Sequence, residues 1–319
     1  MQTAWGDIPV FDAHVHLFSS GFFRAMAAQK TDMPQGQEPL SALGATLGWQ
    51  MPPAQPQELA RDWARELDRH GVERAVLIAS VPGDEESVAA ASSSFPDRFY
   101  GYFMLNPLSA EAPERVRRAL AVMRLRGICL FPAMHRFSIQ DKRLEPILQI
   151  IASVPGTVIF VHCGVLTVGI RKKLGLPSHF DMRFSNPIDL HAVAMQYPQV
   201  NFLVPHFGAG YFREALMLCD LCPNVYLDTS STNSWMRYQP DGIDLSKVFR
   251  RALDVATPKR LLFGSDSSFF PRGWHREIFE TQCAALRQIG ISEADAQLIF
   301  GENLKRLLDT AMPPSAGSR

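Results

Sequence analysis

Short apolar runs recur along the chain, and amphipathic segments lie between them. Two of the runs, at positions 75–79 and 158–161, are continuously apolar, as expected of parallel strands that are buried on both faces. The pattern predicts eight strands, at positions 10–16, 74–79, 99–105, 127–131, 157–162, 201–206, 225–228 and 260–264.

Helical periodicity follows each predicted strand. In segment 57–70, Leu59, Trp63 and Leu67 recur at four-residue spacing, and Gly71 marks the end of the helix. Pro113 falls in the first turn of another segment, where a missing N–H does no harm. The remaining helices are predicted at 84–94, 111–125, 141–153, 187–197, 210–219, 244–256, 274–290, 292–300 and 302–311.

Strands that alternate with helices predict an α/β fold with a parallel sheet, and eight of them favour a closed (β/α)8 TIM barrel. We expect a single domain over 1–319, with its core at about 9–309 and long insertions after strands one and five. The alternative is an open doubly wound sheet. That fold usually carries a glycine-rich phosphate loop after its first strand, where this chain has His-Val-His-Leu-Phe.

Three long connections, at about 18–56, 165–186 and 230–243, are expected to set substrate specificity. Connections longer than about 15 residues are usually functional or lid-like. The first contains several prolines and glycines, and Phe22 and Trp49 within it are read either as an apolar wall of the site or as anchors of the loop.

Composition narrows the class of protein. The chain has 319 residues, of which 46% are hydrophobic and 20% charged, as is usual for a soluble globular enzyme. The chain has 32 Lys and Arg residues and 32 Asp and Glu residues, so it lacks the excess of positive charge that is typical of nucleic-acid-binding proteins. No apolar run is long enough for a membrane span, and no secretory signal opens the chain. Five cysteines, an odd number, favour the reducing cytoplasm. Whether the chain forms a homo-oligomer stays open.

The first predicted strand carries His14 and His16. Side chains two residues apart in a strand share a face, so these two rings should point the same way, and Ala13 and Val15 the opposite way. Two imidazoles side by side at the end of a strand can hold one metal ion.

Further polar residues fall at the ends of later strands. Strands five and six end in His162 and His206, and strand eight leads into Asp266. Each of these taken alone is equally well explained as a structural residue, such as a helix cap or turn former. Taken together they indicate one site, because the carboxyl ends of all barrel strands meet at one mouth.

These segments resemble the motifs of the amidohydrolase superfamily. Segment 12–16, Asp-Ala-His-Val-His, is similar to its Asp-x-His-x-His opening, and segments 161–164, 205–208 and 262–266 are similar to its later motifs. The set resembles the amidohydrolase-related branch that includes 2-amino-3-carboxymuconate-6-semialdehyde decarboxylase, and segment 299–308 is similar to the closing helix of that branch. The resemblance spans about 9–309. It is specific to the superfamily and says little about the substrate.

The resemblance implies a role for each strand-end residue. His14, His16, His162 and Asp266 match the metal-ligand positions. His206 matches a histidine that contacts the attacking water or the substrate, so His206 and Asp266 are the expected catalytic residues.

The resemblance also implies the number of ions. Two-metal members carry a carboxylated lysine on strand four, and this chain has none there. Cys129 is the expected occupant and is read as a core residue. We therefore expect one divalent ion, with zinc best suited to nitrogen-rich ligands and manganese or iron as alternatives.

The residues expected to bind a small-molecule substrate are Arg272, His135 and Trp274. An arginine after strand eight could clamp a carboxylate, although one beside a helix start is equally well a surface residue. The charge run 171–173 is read as solvated loop. Cys219 and Cys222 have C-x-x-C spacing without a second pair, so we assign them neither a redox nor a zinc role.

The expected function is a cytoplasmic mononuclear metal-dependent hydrolase that acts on a lactone, an amide or a carboxylated ring compound through a metal-activated water. The alternative is a metal-dependent non-oxidative decarboxylase at the same site. A hypothesis from another class is a catalytically silent barrel that binds a ligand.

Overall fold

In the computed structural model, which describes residues 1–33, 36–230 and 234–309, parallel strands form one eight-stranded sheet. The strands follow one another in sequence order: β1 Phe11–Leu17, β2 Arg74–Ala79, β3 Phe99–Leu105, β4 Gly127–Leu130, β5 Val158–Val161, β6 Asn201–Val204, β7 Val225–Asp228 and β8 Leu261–Leu262. A short hairpin, Gln2–Thr3 with Gly6–Asp7, precedes them.

Backbone hydrogen bonds close the sheet into a barrel. The Ala13 N–H donates to the Phe263 carbonyl over 2.8 Å, and the His16 N–H donates to the Ser267 carbonyl over 2.7 Å. The segment after β8 therefore lies beside β1. This closure confirms the predicted (β/α)8 TIM barrel and excludes the open doubly wound sheet.

Helices surround the barrel. They are α1 Ser20–Ala27, α2 Pro39–Leu47, α3 Pro56–His70, α4 Glu85–Ser94, α5 Ala112–Ala121, α6 Pro132–His135, α7 Glu145–Ala152, α8 Gly169–Lys173, α9 His191–Gln196, α10 Phe212–Leu221, α11 Leu245–Ala256, α12 Arg276–Ile289, α13 Glu293–Gln297 and α14 Asn303–Leu308. Within the described ranges, no helix has both the length and the apolar character that crossing a bilayer requires. The last helix ends at Leu308, before the predicted end at 311, and positions 310–311 lie outside the described residues.

The alternation of side chains along each strand divides the core in two. Val76 and Ile78 of β2 pack inside the barrel, whereas Leu77 packs outward against the helices. Helix α3 shows the outer layer: Trp63 and Leu67 are buried against the strands, as their spacing predicts.

Several strands end earlier than the sequence predicts. β2, β3 and β7 have the predicted bounds, but β4, β5, β6 and β8 leave the sheet one or two residues before the predicted ends. In β6 the cause is Pro205, because proline has no N–H to donate to a neighbouring strand. The residues beyond these ends turn into the barrel mouth.

One register prediction for β1 is wrong. The pairing with β2 shifts between Asp12 and Val15, which is a β-bulge. As a result Ala13 packs with the inner cluster and Val15 with the outer one, so they do not share a face. His14 and His16 both still reach the mouth.

The connections after β1 and β5 fold together over the mouth. Helices α1 and α2 lie in the first connection and α8 lies in the second. Their apolar residues form a hydrophobic cluster separate from the barrel core, which we call the cap: Phe22, Phe23, Met26, Ala27, Leu40, Leu43, Ile170, Leu174 and Leu176. The long connections therefore contain helices that pack together, although positions 34–35 and 231–233 of the predicted loops lie outside the described residues.

Candidate metal centre

His14, His16 and Asp266 meet at the centre of the barrel mouth. The two Nε2 atoms are 3.2 Å apart, and they lie 3.6 Å and 3.3 Å from Asp266 Oδ1. One donor atom from each residue lies within 4.8 Å of the others. Tetrahedral bonds of about 2.1 Å place two ligand atoms about 3.4 Å apart. The three groups therefore have the spacing of ligands to one ion.

Hydrogen bonds on the far side of each ring fix its orientation. His14 Nδ1 donates to Asp228 Oδ2 over 2.6 Å. His16 Nδ1 lies 2.8 Å from Ser80 Oγ, and that hydroxyl donates to the Ile78 carbonyl, so the imidazole is the donor. A hydrogen bond thus holds Nδ1 of each ring, which leaves Nε2 as the nitrogen that can bind a metal.

The ionisation states of these groups affect the binding of a cation. Burial alone would raise the pKa of Asp266, but the hydrogen bond from His16 and the nearby His14 hold that pKa well below its ordinary value. The pKa of Asp228 is also lowered, because His14 outweighs its burial. Burial lowers the pKa of His16. Burial lowers the pKa of His14 too, but the charge of Asp228 overcomes it and raises that pKa to about 9. The ionised carboxylates attract a divalent ion, which must displace the Nε2 proton of His14 when it binds.

Close packing restricts the backbone beside the site. A Cβ atom on Gly264 would lie 2.5 Å from Asp228 Oδ1 and 3.0 Å from His14 Cβ, so only glycine fits beside these two residues. Asp266 has a φ of 55°, in the left-handed region that is costly for residues other than glycine. Such strain is maintained where the surroundings impose it, typically at functional sites.

Asp12 joins β1 to the segment after β8. Its buried carboxylate accepts hydrogen bonds from the backbone N–H groups of His14 and Ser265 and from Trp274 Nε1, the last over 2.8 Å. Burial raises the pKa of Asp12 to about 6. The expectation that Trp274 binds substrate is therefore corrected. Its indole is 2% exposed and anchors Asp12 away from the cavity.

His162 lies beside the three ligands without joining their group. Its ring stacks on Phe131 at 5.4 Å and lies 5.4 Å from the ring of His206. Within the described part of the chain, its buried Nδ1 has no hydrogen-bond partner. Because burying a polar atom without a partner costs free energy, this nitrogen fits a group that the polypeptide does not supply. Its role as fourth ligand stays a prediction.

His206 begins a turn in the left-handed region. His206, Phe207, Gly208 and Ala209 have φ angles of 56°, 52°, 86° and 44°. The turn packs on Gly164, where a Cβ atom would lie 2.2 Å from the Gly208 carbonyl oxygen. The loops that carry His162 and His206 therefore fit together only through this glycine.

A cavity of about 870 Å³ opens above these residues, within the usual size of small-molecule sites. Arg272 and His135 line it, as predicted. Among the described lining residues, Asp266 is the only carboxylate. The lining cations are Arg136, Arg171, Lys173 and Arg272, so part of the charge run 171–173 reaches the site instead of forming only solvated loop.

The cap contributes an aromatic wall. Phe22 and Trp49 both line the cavity. Trp49 also stacks on Phe269 at 3.9 Å, and Lys173 Nζ lies 4.9 Å from the indole. Trp49 thus combines both predicted roles, because it forms part of the wall and anchors the cap to the segment after β8.

Sequence reasoning missed the residues that support the ligands. Asp228 ends β7 and Ser80 directly follows β2, so the strand-end rule that selected the histidines would also have selected them. Their partners are distant in the sequence, which hides the hydrogen bonds from a reading of the chain.

Comparison with known proteins agrees with this architecture. The sequence model of the amidohydrolase family matches residues 11–310. The protein fluG of Emericella nidulans is 34% identical over 145 residues, which are 41% of this chain and only 16% of fluG.

Solved structures share the fold. 5-Carboxyvanillate decarboxylase from Sphingomonas paucimobilis superposes with a TM-score of 0.63 at 15% identity, covering 95% of this chain and 99% of that one. A candidate 2-pyrone-4,6-dicarboxylic acid hydrolase from Pseudomonas putida gives 0.60 at 18% identity, covering 95% and 98%. Because the family match runs from the first strand of the barrel to its last helix, the chain belongs to the amidohydrolase family.

Proposed function

We propose that the protein is a mononuclear metal-dependent hydrolase that acts on a small organic anion. The observation that carries this proposal is the convergence of His14, His16 and Asp266, with the Nδ1 proton of each imidazole engaged elsewhere. His162 would complete the ligand set through its unpartnered nitrogen. A set of three imidazoles and one carboxylate suits zinc best, with manganese or iron as alternatives.

Asp266 and His206 have separate roles in the proposed reaction. When bound, a divalent ion polarises a carbonyl or carboxyl group and makes water a better nucleophile at neutral pH. Asp266 is ionised and can accept a proton from an attacking water. His206 lines the cavity and can hold or return that proton.

The proposal specifies a single ion. Cys129 occupies β4, where a bridging carboxylated lysine would be needed for two ions, and it is fully buried in the inner cluster. Burial raises the pKa of its thiol well above the ordinary value, so it supplies no anionic ligand. A second ion would therefore have no bridging anion.

Charge and hydrogen-bonding capacity support an anionic substrate. Three of the lining cations contact neutral groups: Arg136 donates to the His179 carbonyl, Arg171 donates to Gln29 Oε1 and the Pro177 carbonyl, and Lys173 lies over the Trp49 ring. Arg272 donates to the Asp266 carbonyl over 3.2 Å and to Ser268 Oγ over 2.9 Å. Both acceptors are neutral, and the Asp266 carboxylate acts on Arg272 only through space, so the guanidinium can still bind a substrate carboxylate. His135 also lines the cavity with a buried, unpartnered Nδ1, and we assign both residues to substrate binding.

Decarboxylation is the second candidate. The same ligands and cations could bind a carboxylate and protonate the carbon as CO2 leaves. The aromatic wall of Phe22 and Trp49, together with Phe131, would accommodate a carboxylated ring. The structural neighbour from Sphingomonas paucimobilis is a decarboxylase, and the one from Pseudomonas putida is a candidate hydrolase. Both reactions should therefore be tested. The convergence of His14, His16 and Asp266 argues against a silent barrel. A cytoplasmic location remains a prediction, which the free cysteines support.

A substrate panel separates the two reactions. Purified protein loaded with zinc is incubated with lactones, amides and aromatic carboxylic acids, and ring opening and CO2 release are followed in parallel. We expect a hydrolytic product without CO2. Release of CO2 without any hydrolytic product would reverse the order of the two candidates. Turnover that persists in His14→Ala would contradict both.

A further inference from the structure

Ser230 contacts two histidines of the site, His14 and His206. It is the second residue after β7 and is fully buried. Its Oγ lies 2.8 Å from His206 Nδ1 and 3.3 Å from His14 Nδ1, and its backbone N–H donates to Asp228 Oδ1 over 2.6 Å. Ser230 thus lies between His14, the proposed metal ligand that Asp228 holds, and His206, the proposed acid–base residue.

The geometry decides which nitrogen of His206 carries the proton. His206 Nδ1 lies 3.3 Å from the Ser230 carbonyl as well as 2.8 Å from its hydroxyl. A carbonyl oxygen can only accept, so a lone pair on Nδ1 would face it unfavourably. The nearby Nδ1 proton of His14 is engaged by Asp228 over the shorter distance of 2.6 Å. The consistent arrangement has the proton on Nδ1 of His206.

We propose that Ser230 is a positioning residue that holds His206 in the Nδ1–H tautomer through its hydroxyl and carbonyl oxygens. The opposite nitrogen, Nε2, is then unprotonated. It lies on the other edge of the ring and is available to the cavity that His206 lines. It can accept a proton from water or substrate at the start of a reaction. The inference deepens the proposed function, since it supplies the reason why His206 can act as a base.

The backbone explains why such an anchor is needed. His206 begins the left-handed turn, so its ring direction is set by a strained segment and by its partners rather than by a regular strand. Among the described residues, the hydrogen bond that would remain to His206 Nδ1 without Ser230 Oγ is the longer one, of 3.3 Å, to the Ser230 carbonyl. The alternative is that Ser230 merely fills space beside the ligands.

Tautomer-sensitive NMR tests the inference without a substrate. Long-range ¹H–¹⁵N spectra of the full-length protein, with ¹⁵N-labelled histidine, distinguish Nδ1–H from Nε2–H imidazole. Spectra are recorded at pH 8 with zinc, which is diamagnetic, and after chelation. The His206 resonances are assigned with His206→Gln. We expect the Nδ1–H form alone in the wild type and a mixture of tautomers in Ser230→Ala.

The neighbouring residue provides a matched control. Thr229 is also fully buried, and its hydroxyl donates to Gln282 Oε1 over 2.6 Å instead of to a histidine. Thr229→Val should leave the His206 tautomer unchanged, although it also removes a buried hydroxyl. An Nε2–H tautomer in the wild type would overturn the inference even if Ser230→Ala fails to fold. So would identical tautomers in the wild type and Ser230→Ala.

Kinetics give a second readout once a substrate is found. Ser230→Ala should lower kcat by roughly tenfold and change KM by less than about twofold, because the group acts on proton transfer and not on binding. A rise in KM with unchanged kcat would contradict the inference. The spectra after chelation are independent of metal binding, so a failure of the proposed metal centre is distinguishable from a failure of this inference.

Discussion

Asp228 Oδ2 accepts the Nδ1 proton of His14 over 2.6 Å, and both residues are almost fully buried. This pair decides which nitrogen of His14 is available to a metal ion. Carboxylates in this position fix the ring of a ligating histidine and increase its basicity. The pair also joins β7 to β1 across the barrel mouth.

Asp228→Asn should weaken metal binding. Loss of the negative charge makes His14 a poorer ligand, and changes of this kind cost roughly 10- to 100-fold in metal affinity. Competition with a chromophoric zinc chelator measures the effect. Asp309→Asn is the matched control, since Asp309 accepts from Tyr100 at the opposite end of the barrel and should leave the affinity unchanged. Equal affinities for wild type and Asp228→Asn would argue against the supporting role of Asp228.

Trp274→Phe should destabilise the fold without affecting ligand binding. The substitution removes the Nε1 donor from the buried carboxylate of Asp12, which should cost about 1–3 kcal/mol of unfolding free energy in urea titrations. Trp5→Phe removes a bond to the neutral Ile291 carbonyl in a half-buried position and should cost less. A Trp274→Phe protein with wild-type stability and weakened substrate binding would restore the original expectation for this residue.

Arg272→Met should weaken the binding of anionic ligands. A panel of aromatic carboxylates is screened by calorimetry, and the tightest binder is then measured on each variant. Loss of a charged hydrogen-bond donor should raise its Kd by roughly 10- to 100-fold. Arg213→Met, on the exposed face of α10 beside Glu214, serves as the control and should leave Kd unchanged. The assignment fails if both variants bind equally well, or if neutral analogues lose as much affinity as the carboxylates.

His135 should make stability depend on pH. Burial lowers the pKa of His135 to about 4, against about 6.5 in an unfolded chain. Between these two pH values His135 is protonated in the unfolded chain and neutral in the folded protein. The free energy of unfolding therefore falls as the pH falls from 6.5 to 4. In His135→Gln, the loss of unfolding free energy over this range should be smaller by about 2–3 kcal/mol. Urea denaturation at pH 4 and pH 7 checks this, and equal losses in both proteins would contradict it.

The sequence predicted most of the barrel, because alternating faces and helical spacing are local properties of the chain. It also brought His14, His16 and Asp266 to one place, since residues at strand ends share a mouth. It misplaced Ala13, because a bulge depends on the neighbouring strand. It also misplaced Trp274, because the segment after Asp266 returns to pair with Asp12.

The support of the ligands could not be derived from sequence. Asp228 and Ser80 are ordinary strand-end residues until distances show which ring each one contacts. The cap could not be predicted from the sequence for a related reason. Its helices lie in two connections that are far apart in the chain, and only their shared apolar cluster brings them together.

The central claim is that the barrel mouth holds one divalent ion, and metal analysis tests it most directly. Protein purified without added chelator is analysed by mass spectrometry for bound metals, beside His14→Ala, His16→Ala and Asp266→Asn. We expect about one divalent ion per wild-type chain and at least a tenfold loss in each variant. Only trace metal in the wild type, metal retained in all three variants, or two ions per chain would contradict the account.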